Sequence, residues 1–157
     1  MGTFRLGRLS SVPAFLRTDL LADPTRRALV ETGLLGDVGV VEIDPALSDT
    51  ATTQHHFGLE PESLANCVVV GGKREGTERL AACVVLAAAR AVELTDMEYG
   101  GITPIGLPSG WPVLVDRGVI EADVVLIGSG VRRSKILLPG SLLARLPGVV
   151  VIDGLAL

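Results

Sequence analysis

Apolar residues along this chain fall in short runs broken by glycine, proline and charge, so its elements can be placed from spacing before any composition is considered. Residues 1–20 show no sustained period, and Pro13 interrupts any long helix, so this stretch reads as an arm preceding a single domain over 21–157. Asp23-Pro24 then supplies an N-cap and a first-turn proline. Ala28, Leu29, Leu34 and Leu35 form an apolar stripe, which predicts a helix from Pro24 to about Leu35, stopped by Gly33 and Gly36. The β-branched run Val38 to Ile43, halted by Asp44-Pro45, predicts a strand. A second helix is predicted from Asp49 or Thr50 through Gln54-His55-His56-Phe57, with Gly58 as its C-terminal glycine.

The runs Leu64 to Val70 and Leu80 to Ala89 flank a charged, glycine-bounded turn over 71–78 and predict an antiparallel hairpin. The second run is alanine-rich, but Cys83-Val84-Val85 and the hairpin context favour a strand. Ala91 to Thr95 reads as the tail of a helix. Further strands are predicted at Val113 to Val115, Val124 to Ile127, Ile136 to Leu138 and Val149 to Ile152. A turn or short helix over Asp116 to Glu121 and a short helix from Pro139 to Arg145 separate them. Interleaved helices and strands define an α/β or α+β class.

Composition sharpens this picture. Within 157 residues, 48% are apolar but only 3% aromatic, so the core is built from Val, Leu, Ile and Ala, as in closely packed sheets covered by helices. Fourteen basic against 18 acidic residues give a net charge of −4, which excludes a globally cationic nucleic-acid binder while leaving room for a local basic patch. The longest apolar run, Leu80 to Ala89, falls short of the roughly 18 residues a membrane-spanning helix needs, and residues 1–16 lack a secretory signal pattern. A soluble, cytoplasmic protein is expected. Cys67 and Cys83 lie in apolar runs and read as reduced, buried thiols. His55 and His56 point about 100° apart on a helix and cannot chelate one metal as an i, i+4 pair can. No metal site is expected.

The segment 100–110, Gly-Gly-Ile-Thr-Pro-Ile-Gly-Leu-Pro-Ser-Gly, suits neither helix nor ordinary strand. Two readings fit it: a tight connection between buried strands, or a loop that aims backbone N–H groups at an anionic or polarised oxygen. With Met97 to Leu107 and Trp111 to Asp116, it resembles the glycine-x-x-x-proline loop and following strand of the YbaK/prolyl-tRNA-synthetase-associated editing domains. Gly128-Ser129-Gly130-Val131-Arg132-Arg133-Ser134-Lys135-Ile136 is similar to that family's glycine–arginine turn. The resemblance runs from about Leu34 to the C-terminus.

That resemblance implies a mixed, partly closed β-barrel-like sheet surrounded by helices, acting as a freestanding aminoacyl-tRNA deacylase that hydrolyses the ester of mischarged tRNA without a cofactor. Its partners would be mischarged tRNA and an aminoacyl-tRNA synthetase. No Ser-His-Asp or Cys-His arrangement is evident, so backbone donors of Gly100, Gly101 and Gly106, shaped by Pro104, would stabilise the oxyanion. Asp116 would orient water or the substrate amine, or else cap the following turn. Ile102, Thr103, Ile105, Gly128, Ser129 and Gly130 would line the pocket, with the Ser129 hydroxyl bonded within its turn. Arg132, Arg133, Lys135, Lys73 and Arg74 would meet tRNA phosphates, or else be solvated. The family's lysine at the start of the second strand is Asn66 here, an amide without fixed charge, and some twenty residues of the family pattern are absent where Arg90 runs straight into Ala91, through either a true deletion or an absent mobile segment. These departures support an alternative: a catalytically silent module that binds an aminoacyl group, a nucleotide or a partner synthetase.

Overall fold

A computed structural model of the chain describes residues 2–74, 77–82 and 88–155, with the side chains of 70–90 outside the description. Strands β1 (Arg5–Leu6) and β2 (Leu9–Ser10) form a short antiparallel hairpin, and β3 (Val12–Pro13) follows at once. The segment expected as an arm therefore pairs with the body of the fold and places Leu9, Ala14 and Leu20 in its interior. Strands of two residues leave too little alternation to be read from sequence.

Helix α1 spans Asp23–Glu31, with Ala22 rather than Asp23 as its extended N-cap and Pro24 in its first turn. It ends earlier than the apolar stripe suggests. Gly33, at φ +71, turns the chain back, and the amides of Leu34 and Leu35 both donate to the Leu29 carbonyl, at 2.9 and 3.1 Å. Leu34 thus enters the core from a turn. Strand β4 (Gly39–Glu42) lies within the predicted run. Helix α2 (Thr50–Phe57) begins and ends as predicted: Asp49 accepts from the Thr52 amide at 2.9 Å, and Gly58 is left-handed at φ +64.

Strands β5 (Val69–Arg74) and β6 (Thr77–Ala82) form an antiparallel hairpin as predicted, but residues 71–74 and 77–78, expected in its turn, are paired in its strands, and 64–68 precede β5. Residues 83–87 lie outside the description, and Ala88, expected at the end of that strand, instead opens α3 (Ala88–Thr95). Alanine's helix propensity prevails there. After the glycine-rich loop come β7 (Val113–Asp116), α4 (Arg117–Glu121), β8 (Val125–Gly128) and β9 (Ser134–Leu138). A 3-10 segment over Gly140–Arg145 and β10 (Val149–Ile152) complete the order.

Two four-stranded sheets result. One has the order β3-β4-β9-β8 and is wholly antiparallel. The other, β10-β7-β6-β5, is mixed: β7 runs parallel to both β10 and β6. They adjoin where Leu64, just before β5, bridges Leu126 of β8, and the Ala65 amide donates to the Leu126 carbonyl at 3.0 Å. The α+β class holds, but no closed barrel forms among the described residues, and the two-residue strand β3, with Pro13, marks one open edge.

Strand β9 is buried at all five positions and alternates between two clusters. Ile136 and Leu138 join Leu29, Val38, Val40 and Ile105 in the main core, while Leu137 joins Leu9, Ile43, Leu59 and Leu126 in a smaller one. Each fully buried Leu or Ile contributes about 1.5–3 kcal/mol. The central strand therefore holds both clusters in register and fixes what lies between its two faces.

Candidate functional site

The glycine-rich loop and the arginine turn, far apart in sequence, are docked through their backbones. The Glu98 amide donates to the Gly130 carbonyl at 2.8 Å, and the Gly130 amide donates to the Gly101 carbonyl at 2.7 Å. The Arg132 amide donates to a Glu98 carboxylate oxygen at 2.6 Å. A side chain on Gly128 would run into the Gly101 and Ile102 carbonyls, and one on Gly101 into the backbone of Val131. These glycines permit the two motifs to touch.

Docking consumes some of the groups expected to do chemistry. The Gly101 N–H donates to the Glu98 carbonyl at 2.9 Å, inside a turn. Gly106, at φ +90, packs on the backbone of Pro24 at the start of α1, and Ile105 belongs to the main core rather than to a pocket wall. Ile102 is half-buried. Thr103 is fully buried, and its hydroxyl, like that of Thr25, has no hydrogen-bond partner among the described residues. Ser129 is also fully buried, its hydroxyl 3.0 Å from the Ser134 carbonyl and 2.7 Å from the Ser134 hydroxyl, so it serves the turn. Gly100, at φ +82, is exposed, as are Ser109 and Gly110 at the other end of the loop, and it lies beside the Ser48 hydroxyl and the Arg132 guanidinium.

A cavity of about 380 Å³ lies between residues 64–68 and β7. Its walls are mainly aliphatic, including Leu64, Val113, Val115, Ile127 and Leu143, and it brings together Asn66, Pro104 and Asp116 from three parts of the chain. Asp116 is nevertheless committed to structure. One carboxylate oxygen accepts the Gly118 amide at 2.8 Å, capping α4, and the other accepts the Leu155 amide at 2.7 Å. Cys67 lines the same cavity, and burial pushes its thiol up to about 12. A far smaller cavity, about 10 Å³, shares Leu64, Ala65, Asn66 and Ile127 with the large one and adds Thr50, Thr53, Gly128 and Lys135.

Lys135, expected on the surface against phosphates, is only 7% exposed. Its ammonium donates to the Ser48 carbonyl at 2.7 Å. Burial lowers its pKa; Asp49 opposes that shift and Arg132 adds to it. Arg132 is half-buried and donates to the Pro45 carbonyl at 3.2 Å, whereas Arg133 is exposed and donates to the Asp19 carbonyl. Lys73 and Arg74 lie in β5 by backbone, but their side chains fall outside the described residues.

Two contributors escaped the sequence. The Thr50 hydroxyl donates to Asn66 Oδ1 at 2.6 Å, tying the first turn of α2 to the segment before β5, and Ser48 anchors Lys135. No local pattern signals the Thr50 contact, which depends on chain crossing. Lys135 did leave a trace: a lone lysine within Ser-Lys-Ile-Leu-Leu, a strand apolar on both faces, has no solvated side to occupy.

Residues 84–146 match the model of an aminoacyl-tRNA editing domain. Among solved structures, a candidate trans-editing enzyme for prolyl tRNA synthetase is similar at TM-score 0.66 and 20% identity, covering 84% of this chain and 94% of that one. Hypothetical protein APE2540 is similar at TM-score 0.69 and 18% identity, covering 83% and 98%. A scaffold used for computational epitope grafting is similar at TM-score 0.65 and 21% identity, covering 84% and 94%. No curated protein matches the chain. The editing-domain likeness carried by the two glycine motifs is therefore found again in the family model, and the fold is that of these structures.

Proposed function

We propose that this protein is a freestanding deacylase of mischarged aminoacyl-tRNA. The observation that carries the reading is the aliphatic cavity of about 380 Å³ with Asn66 on its wall and Pro104 of the glycine-rich loop against it. Its size suits an amino-acid side chain, and its polar residues sit where an ester would enter. The editing-domain match over 84–146 and the resemblance to a candidate trans-editing enzyme point the same way.

In this reading water adds to the ester carbonyl carbon, the carbonyl oxygen takes up negative charge, and collapse expels the terminal ribose oxygen. That oxygen leaves protonated, giving free amino acid and free tRNA. Gly100 would be the loop glycine that meets the substrate, a reading supported by its exposure and by the commitment of the Gly101 amide to the turn. One well-placed donor to such an oxyanion contributes roughly 3 kcal/mol to the barrier. Arg132 and Arg133 would meet the acceptor end of the tRNA, a contact that weakens steeply with salt. The protein would act in the cytoplasm; among the described residues no helix is long and apolar enough to cross a membrane.

The commitment of the Gly101 amide and the Asp116 carboxylate to structure favours a second reading, a silent module that binds the aminoacyl group without cleaving it. A deacylation assay over a panel of mischarged tRNAs separates the two, with Gly100→Pro as the control that disrupts a positive φ. Release faster than buffer hydrolysis by the native chain, lost in G100P, is the expected result. Release no faster than buffer from every tRNA in the panel would leave only the binding module.

A further inference from the structure

Twelve of the fourteen basic residues are arginines; the two lysines are Lys73 and Lys135. Lys135 is the buried cation of the described core, on a strand with no exposed position. In the ladder it faces Gly128, where the Gly101 and Ile102 carbonyls take the space a side chain would fill. The ammonium has three N–H groups, and the Ser48 carbonyl takes one of them. The rest of its surroundings is the small cavity lined by Thr50, Thr53, Asn66 and Gly128, near the lower limit for one water-sized group.

The polar groups of that cavity are matched in an unusual sense. Thr53 donates its hydroxyl proton to the Leu47 carbonyl, and Thr50 donates to Asn66 Oδ1. With its oxygen engaged, Asn66 has its amide N–H₂ left to offer, and Lys135 has only donors. Two donor side chains therefore line the one small cavity, one of them charged. A site that presents donors selects an acceptor, and most strongly one gaining negative charge. Asn66 also lines the aliphatic cavity of about 380 Å³, so of the two donors it is the one that borders both spaces.

We propose that Lys135, with the Asn66 amide oriented by Thr50, forms the oxyanion-binding end of the cleft, and that it acts on the tetrahedral state of the ester rather than on its ground state. This rests on the deacylase reading for the identity of the substrate. Burial depresses the Lys135 pKa, Asp49 opposes that shift and Arg132 adds to it, while Glu98 is engaged by the Arg132 amide.

The test compares two probes on the intact chain, an amide-linked alanyl-adenosine with a neutral carbonyl, and an aminophosphonate analogue of alanyl-adenosine with a charged tetrahedral centre. Lys135→Met is expected to weaken the phosphonate by about tenfold or more and the amide by less than about threefold, with kcat falling and KM little changed. Lys135→Arg should recover part of the loss. Asn66→Asp, close in volume, should abolish phosphonate binding by placing a carboxylate opposite the ammonium, while raising the melting temperature, so a folding defect cannot mimic the effect. Equal affinity of the native chain and K135M for the phosphonate would overturn the inference. So would an unchanged kcat, or failure of the native chain to bind either probe. If no mischarged tRNA is hydrolysed but phosphonate binding still depends on Lys135, the deacylase reading falls and the oxyanion site stands.

Discussion

The thiol of Cys67 borders the aliphatic cavity, and burial alone moves it from 9.0 to about 12. At pH 8 almost none of it is thiolate, the form that reacts. Alkylation of Cys67 by iodoacetamide, followed by peptide mass spectrometry, should run at least about tenfold slower in the native chain than in urea. A native rate equal to the unfolded one would mean that the thiol is solvated and that the cavity wall is wrongly drawn. The neighbouring residue makes a different prediction. Thr50→Val removes the donor to Asn66 Oδ1, an exposed contact, so stability should fall by only about 0.5–1.5 kcal/mol. Deacylation should fall further, because the amide loses its orientation. In a double-mutant cycle T50V and Asn66→Ala should be strongly non-additive in rate, and additive losses would separate the two side chains functionally.

Elements place these side chains, and here the glycines of the docked motifs carry testable weight. Gly128→Ala inserts a methyl group against the Gly101 and Ile102 carbonyls, which are backbone atoms and cannot swing aside. Overpacking of this kind costs about 1–3 kcal/mol, so urea denaturation should show a loss in that range, with deacylation impaired because the loop is displaced. A variant as stable and as active as the native chain would show that the loop is not seated on β8. Helix α2 was legible in advance because its signals are local: Asp49 caps it, and Gly58 ends it at a left-handed φ. The hairpin was legible in existence and sense from two apolar runs around a charged segment, but not in extent, since Lys73 and Glu78 of that segment pair in its strands. What the sequence withheld depends on chain crossings. The Glu98 pairing that spends the Gly101 amide, the Asp116 carboxylate tied to Leu155, and the Thr50–Asn66 contact join residues with no shared periodicity. Lys135 was misplaced because a cation following two arginines was read as part of a basic cluster, whereas strand alternation between two buried faces sends it inward.

At the scale of the whole molecule, buried Lys135 and half-buried Cys67, which the sequence predicts as fully buried, should shape stability against pH in opposite directions. Lys135 has a folded pKa below its ordinary 10.5, so between that lowered value and 10.5 the unfolded chain binds more protons, and stability rises with pH. Its contribution is present above 10.5 and is lost as pH falls through the folded pKa. Cys67 has the reverse sign. Its contribution is intact below 9.0 and is lost as pH rises toward about 12, because the unfolded thiol ionises first. The exposed carboxylates Asp19 and Asp49, both held low by hydrogen bonds, act in the acid range and do not enter this window. Native unfolding free energy from urea titrations should therefore climb between the lowered Lys135 value and 10.5, with the thiol effect opposing it above pH 9. Lys135→Met should remove the climb and keep the later loss, while Cys67→Ala should do the converse. Parallel profiles for the native chain and K135M at every pH up to 10.5 would mean that the ammonium bears no penalty for its position, and the strand that carries it would then have to be open to water.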